Sequence, residues 1–473
     1  MVFQRILPLL VALLLTGACT LETNPPQTAA AGQAGGAALP RAVEKEVGPA
    51  YASPALQAMV DRVGQKLVTS SGLPGSYRFY VLDQPLANAH AMSSGYVFVT
   101  RGLLALMDDE AELAAAMGHE LGHIVQKHAA RREQARKGVL DSAVDAALKS
   151  GSMTVGRTVA REGMLQLRRY SRDQELEADQ VGVGYITRAG YRGDAMATLI
   201  DKLRRQSRLE DELMGEGAGS GEAGDRSALS THPAPDDRLA ALRAMARPPT
   251  PGESNRAEYL KAIDGMSVDD APEEGFVRGS SFMHPTMLLA FELPRDFRLF
   301  NDHDGVIGIG QDHSMMYFSC RGEPVAGRLD DWMRNQLKPT PTDIEETAIG
   351  GAEAAIGARP RGSDTGLGQI RYVVIRHDEG ICYFSLVADG PDRDRRIEAL
   401  VNATRSFRRL SPAEAASLRP YRLQVVPTAG TSPAALAARL PYGDFRMDRL
   451  LTLNGVGDGA ALMGRPEAKI VQP

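Results

Sequence analysis

Met117–His128 reads M-G-H-E-L-G-H-I-V-Q-K-H, and the rest of the chain is best understood outward from it. Its centre is an H-E-x-x-H pattern at His119, Glu120 and His123. Four residues make just over one helical turn, so the two imidazoles stack on one face and can grip one metal ion. Glu120 lies about 100° round the helix axis, within reach of a water beside that ion. The flanks argue for a real helix. Asp108, Asp109, Glu110 and Glu112 load its N-terminal end with negative charge, and Lys127, Arg131, Arg132, Arg136 and Lys137 load the C-terminal end with positive charge. Leu113, Ala116, Met117 and Ile124 join the histidines on an inward face. Two helical histidines can equally be core residues bonded to carbonyls, so the pair speaks for a metal only with a third ligand.

A hydrolytic zinc takes three protein ligands and leaves one position open. Immediately downstream the search fails: Gln126 stands where a turn glycine is needed and Ala129 where a third histidine is needed. His128 is one residue out of register and reads as a supporting or surface histidine. A second helix offers a carboxylate. Residues 171–190 read S-R-D-Q-E-L-E-A-D-Q-V-G-V-G-Y-I-T-R-A-G, with Ser171 and Gln174 at capping-box spacing and Gly190 as a stop. Glu175 and Asp179 share a face, one as a ligand and the other orienting a ligating imidazole. Glu177 points elsewhere. A solvated acidic face is the alternative.

These motifs together resemble the HtpX/BepA-type zinc metallopeptidases, relatives of the CAAX prenyl proteases. The resemblance rests on Asn88-Ala89, on Gly95–Gly102 (G-Y-V-F-V-T-R-G), on Asp109–His123, on R-D-Q-E-L-E-A-D at Arg172–Asp179, and on S-T-H-P at Ser230–Pro233 with Arg238 beyond. It covers about residues 51–246. It implies one Zn²⁺ per chain held by His119, His123 and Glu175, with Glu120 as catalytic base and His232 and Arg238 facing the oxyanion. It also implies that Gly95, Tyr96, Val97, Phe98 and Val99 form a sheet edge that pairs with an extended substrate. A plain core strand is the other reading of that run. His232 either blocks the metal as a fourth ligand or swings away to assist, and the Gly/Glu/Ala-rich run before it suggests gating.

The 473 residues call for two or three domains, and 24% charged with 43% hydrophobic is ordinary for globular protein. A net charge of −5 argues against nucleic acid as a partner and against a polybasic membrane-binding surface. Arg5 followed by the apolar run Ile6–Leu15 reads as a signal peptide over residues 1–18, too short to span a bilayer. L-L-T-G-A-C ending at Cys19 resembles a bacterial lipobox, with Thr16 where Leu is usual. Lipidated Cys19, followed by Thr20 rather than Asp, implies a periplasmic chain anchored to the outer membrane. Residues 19–50 read as a tether, its Thr20–Pro40 part poor in bulky side chains.

The expected fold class is α+β multidomain. A mostly helical metallopeptidase domain with a small sheet spans 51–250. Between its two zinc helices, Gly138–Ser150 is amphipathic and reads as packed on the catalytic core, a lid or membrane-facing hairpin being the alternative. An accessory α/β sandwich follows over 268–410, where Cys320 and Cys382 either pair or stay as buried thiols. Its histidines, His284, His303, His313 and His377, are scattered and form no set. Residues 420–473 are similar to a β-α-α-β LysM-like module, with Ala429-Gly430-Thr431-Ser432 in place of its usual turn. That similarity implies peptidoglycan as a further partner. The function expected is an envelope zinc endopeptidase acting on misfolded or stalled envelope proteins. An assembly factor that holds clients, or a wall-binding adaptor, are the alternatives.

Overall fold

The computed structural model describes residues 38–150, 152–214, 232, 236–245, 251–302, 305–359 and 369–473. Cys19, the signal peptide, Thr20–Pro40 up to residue 37, Ser230, Thr231, Pro233 and His303 lie outside the described residues.

The chain enters through α1 (Arg41–Val47), not a tether running to residue 50. Leu39 is buried with Tyr80, Leu82 and Phe98, because the outer face of the first sheet is aromatic and must be covered. Ser53 caps α2 (Pro54–Ser71), with Pro54 at its first turn, and Leu56, Met59, Val60, Val63 and Leu67 face inward at helical spacing. The sheet holds β1 (Arg78–Leu82), β2 (Ala89–Ala91) and β3 (Tyr96–Thr100) in the order β1-β3-β2. β3 is therefore central. It pairs in parallel with β1 and antiparallel with β2, which corrects the expectation that 95–99 is a free edge. The edges are β1 and β2, and β2 is three residues long, too short to announce itself by alternation.

After α3 (Arg101–Leu106) comes α4 (Glu110–Val125), buried from Glu110 to His123. It ends before the basic run: Lys127 turns the chain at φ 55°, and Arg131, Arg132, Arg136 and Lys137 belong to α5 (His128–Ser150). Those cations do not complement the α4 dipole. α5 packs along α6 (Met153–Arg188), where Gly156 meets the Ala143 carbonyl and Gly163 meets Val139. Only His128 and Ala143 of α5 are buried, so α5 and the early turns of α6 form a hairpin standing on its own contacts, whereas the later turns of α6 pack on α4. α6 is continuous through Ser171, so no helix starts there; the capping-box residues sit mid-helix. α7 (Ala195–Met214), α8 (Asp236–Met245) and α9 (Arg256–Ile263) complete this region.

The second region is β-rich. β4 (Phe276–Arg278), β5 (Ser281–His284), β6 (Leu289–Glu292) and β14 (Arg408–Arg409) make one sheet. β7 (Phe297–Asp302), β8 (Gly305–Gly310), β9 (Met315–Arg321), β10 (Thr342–Ile349), β11 (Ala352–Ala358), β12 (Gln369–His377) and β13 (Gly380–Ala388) make another. Its order is β10-β11-β12-β13-β9-β8-β7. Helices α10 (Leu329–Gln336) and α11 (Arg393–Thr404) cover it, and Phe282, Phe291, Phe318, Phe384 and Phe407 fill the core. Cys320 and Cys382 stand opposite each other on β9 and β13 and form a disulfide. A short helix, α12 (Pro412–Ser417), leads out.

The tail pairs β15 (Arg422–Pro427) with β16 (Glu467–Gln472), antiparallel, around α13 (Pro433–Ala438), α14 (Arg446–Leu453) and α15 (Gly459–Met463). It docks on the helical region. Lys469 is fully buried, and its ammonium donates to the carbonyls of Ala105 (2.7 Å), Leu106 (3.1 Å) and Met107 (2.7 Å) at the end of α3. The linker joins in: Leu423 N donates to Met266 O and Ser267 N to the Tyr51 hydroxyl.

Asp270 occupies the same linker. Burial and the adjacent Asp269 push its carboxyl up to about 7, against Asn301, Arg101 and Arg278. A carboxyl with a raised folded-state pKa stabilises the fold when protonated, and that contribution is lost as pH climbs from the unfolded value through about 7. Asp270→Asn should remove this loss, raising the melting temperature at about pH 8 by on the order of a few °C while changing little near pH 4. Thermal scans across pH check it; equal pH slopes for both proteins contradict it.

Candidate metal centre

Three backbone hydrogens let α4 and α6 touch. A Cβ on Gly122 would sit 2.9 Å from the Ala178 carbonyl oxygen, one on Gly118 3.2 Å from the Gly182 oxygen, and one on Gly182 3.0 Å from the His119 nitrogen. Glu175, Ala178 and Gly182 make the facing stripe of α6, so this contact carries Glu175 to the histidines. Its oxygens lie 3.3 Å from His119 Nε2 and 3.4 Å from His123 Nε2, and the two Nε2 atoms are 3.0 Å apart. His232 Nδ1 completes the group at 3.0 Å from Glu175 and 3.2 Å from His119 Nε2. Ligand atoms set tetrahedrally about 2.0–2.1 Å from one zinc ion lie roughly 3.3 Å from each other, so the donor spacing suits the metal. Glu175 Oε1 is buried with no hydrogen-bond partner, an orphan that a cation would satisfy.

The electrostatics tell the same story. Burial opposes charge on His119, yet the Asp179 and Glu175 carboxylates outweigh it and push the imidazole up to about 9. His123 is held well below its ordinary value by burial and by His119 beside it. Burial works against the Glu175 charge, but hydrogen bonds from His119 and His232 hold its carboxyl far below the usual range. With no metal bound, the cluster takes up a proton where a cation would sit.

Each donor is itself held. Asp179 Oδ1 takes the His119 Nδ1 proton at 2.9 Å, turning the Nε2 lone pair into the cluster. Arg238 grips Asp179 through Nε (2.7 Å) and Nη2 (2.8 Å), reaches Glu175 at 3.2 Å, and donates to the His232 carbonyl. The expectation that Arg238 faces an oxyanion is corrected here: its fork braces two carboxylates from behind. Of the two readings of His128, supporting or surface, the structure takes the first, and the residue supported is His123. Buried His128 shares a 2.8 Å contact with His123 Nδ1, and its other nitrogen meets Glu177 at 3.1 Å, which Arg131 also binds. His128 is thus no ligand, and Glu177 points at the site's scaffold rather than elsewhere. The spacing His123–His128 hid this, because Lys127 breaks the helix between them.

Glu120 is buried, with Oε1 3.4 Å from His232 Nε2. Beside it a pocket is lined by apolar residues, among them Ala89 of β2, Leu103, Ala116, Met196 and Leu199, and by His119, Glu120, His232 and Arg238.

Comparison with known proteins matches residues 54–246 to the model of peptidase family M48. That stretch is an M48 peptidase domain. The chain is 31% identical over 211 residues to a putative beta-barrel assembly-enhancing protease of Vibrio cholerae, covering 42% of this chain and 41% of that one. It is 28% identical over 235 residues to the beta-barrel assembly-enhancing protease of Escherichia coli, covering 47% and 43%. It is 30% identical over 151 residues to the metalloprotease LoiP of Escherichia coli, covering 30% and 58%. The chain spans less than half the length of the assembly-enhancing proteases it matches.

Gly122→Val should push α4 off α6, cost about 1–3 kcal/mol and abolish stoichiometric zinc in elemental analysis. Gly138→Ala, where nothing lies within 4 Å, is the control and should keep the metal. Full zinc content in Gly122→Val would refute the close-contact account.

Proposed function

We propose that this chain is a zinc-dependent endopeptidase of the bacterial cell envelope that removes misfolded or stalled envelope proteins. The observation that carries the reading is the convergence of Glu175 on His119 and His123 with Glu120 alongside. The M48 match over the same residues supports it.

His119, His123 and Glu175 would hold the zinc. When bound, that ion supplies Lewis acidity toward the scissile carbonyl and the attacking water. Glu120 takes the proton of that water and returns it to the leaving amine, a task suited to a carboxylate shielded from solvent. Asp179 and Arg238 keep the His119 ring and the Glu175 carboxylate aligned throughout. The substrate backbone lies along β2. His90 spends its main-chain groups on Phe98, so Ala89 and Ala91 turn theirs outward, where an extended peptide can pair. The apolar part of the pocket beside Ala89 takes a hydrophobic side chain next to the cleaved bond.

His232 stands against Glu175, His119 and Glu120. This arrangement supports a restrained state in which His232 acts as a fourth ligand. It also favours the second reading, an assembly factor that holds clients and cuts rarely. Lipid on Cys19 would tether the chain to the outer membrane. The two-stranded tail with helices between its strands is compatible with a LysM-like module and peptidoglycan as a partner.

Glu120→Gln should keep one zinc per chain and lose at least about 10³-fold in casein hydrolysis. His232→Ala should raise basal hydrolysis several-fold. A Glu120→Gln chain that still cleaves refutes Glu120 as the base, and one that cleaves nothing yet complements a deletion strain fully sinks the protease reading in favour of the holding one.

A further inference from the structure

Nine large apolar side chains stand exposed among the described residues, and six of them lie on one hairpin: Leu140, Val144, Leu148, Met153, Val155 and Met164. On α5 the first three are four residues apart and form one stripe. Exposure climbs along that stripe from 47% at Leu140 to 59% at Val144 and 78% at Leu148, with Met153 at 70% just past the turn. A globular chain does not leave such a stripe bare without a use for it.

The charge on the same element is equally one-sided. Residues 131–172 hold ten Lys and Arg against four Asp and Glu, a net of +6 in a chain whose total is −5. Arg136 and Lys149 are paired within α5, to Glu133 and Asp145. Arg132, Lys137, Arg157 and Arg161 have no carboxylate partner among the described residues.

We propose that the tip of the α5–α6 hairpin seats in the surface of a bilayer containing anionic phospholipid. Apolar side chains at the tip enter the headgroup boundary, and the cations behind them meet lipid phosphates. A second copy of this chain is the poorer occupant, because two hairpins of like charge repel. The remainder of the chain, net −11, is repelled by the same surface, so the molecule lands hairpin first. No described helix is long and apolar enough to cross a membrane, so the contact is peripheral.

The geometry has a consequence for the metal centre. α5 begins two residues after α4 and its cap, and α6 carries Glu175, so the hairpin root is the cluster itself. From Leu148 back to His128 is twenty residues of helix, about 30 Å. The cluster is thereby held at a fixed height over the leaflet. Cleavage, if any, falls on segments presented at that distance.

The test uses the chain without residues 1–19, which lie outside the described structure, and needs no activity. Flotation is measured with phosphatidylcholine vesicles and with vesicles containing about one-third phosphatidylglycerol. The expected result is binding to the anionic vesicles that weakens as salt rises. Leu148→Glu with Met153→Glu should reduce the bound fraction at least about tenfold, and Arg157→Glu with Arg161→Glu should reduce anionic binding alone. Both pairs leave the core untouched, so circular dichroism and zinc content should match the parent. Absence of binding to anionic vesicles overturns the proposal. So does equal binding by the Leu148→Glu/Met153→Glu chain, or a dimer that those changes dissolve without any vesicle binding, which assigns the surface to a second copy.

Discussion

The contact between the α4 and α6 backbones, made through Gly118, Gly122, Ala178 and Gly182, is the constraint from which the rest follows. It requires α4 to lie in the interior, covered on every side by α2, α6, α7 and the first sheet. A helix buried all round must bury its first turn as well, and that turn is acidic. Six cations are accordingly recruited from distant parts of the chain, Arg256 and Arg465 on Asp108 among them. Arg62 of α2 binds Glu110 through both terminal nitrogens, Arg192 binds Asp109, Lys202 of α7 binds Glu112 at 2.6 Å, and Lys469 of β16 reaches Asp108 at 3.1 Å. A buried carboxylate without such a partner would lose its charge or the fold. The ion pairs around the N-terminus of α4 are thus the consequence of bringing Glu175 to the histidines.

This explains which parts were legible in the sequence. His119, Glu120 and His123 stood out because their chemistry sits at helical spacing within five residues, and Glu175 because it shares a helix face with Asp179 in a second stretch. The acidic turn was read as a dipole effect, which is local. Its real partners lie up to several hundred residues away, and no spacing announces them. Gly118 and Gly122 flank the histidines in plain sight, but a glycine's value here is the backbone it admits, and that backbone belongs to another helix. β11, A-E-A-A-I-G-A, is rich in the helix former alanine yet is a strand, because β10 and β12 pair with it on both sides. β2 was illegible for another reason, being too short to carry a pattern.

Arg238 and His128 teach a related lesson. Arg238 was placed by its type, as a charge for an oxyanion, while His128 was left between a supporting and a surface histidine. Each orients a group that touches the cluster. Arg238 ties Asp179 and Glu175 together, and its own charge is kept by them against burial. His128 passes a contact from Glu177 on one helix to His123 on another across the break at Lys127. A ligand helix that ends directly beyond its second histidine needs such a strut, because its last turn has no following turn to stiffen it.

The tail takes its meaning from the same helix end. Its Lys469 is buried, and burial draws the ammonium down to about 8, so its charge persists only because Asp108 and three carbonyls surround it. Asp108 in turn is shared by Lys202 at 2.8 Å and Arg465 at 2.7 Å. If β16 moves, it must either carry Asp108 with it or open an ion pair closed to water on both sides, at a cost of about 3–5 kcal/mol. Asp108 is two residues from the first turn of α4 and eleven from His119. The tail is therefore part of the scaffold that sets the histidine helix, whatever else its outer surface binds, and a truncation before residue 420 removes a buried counter-charge along with a module.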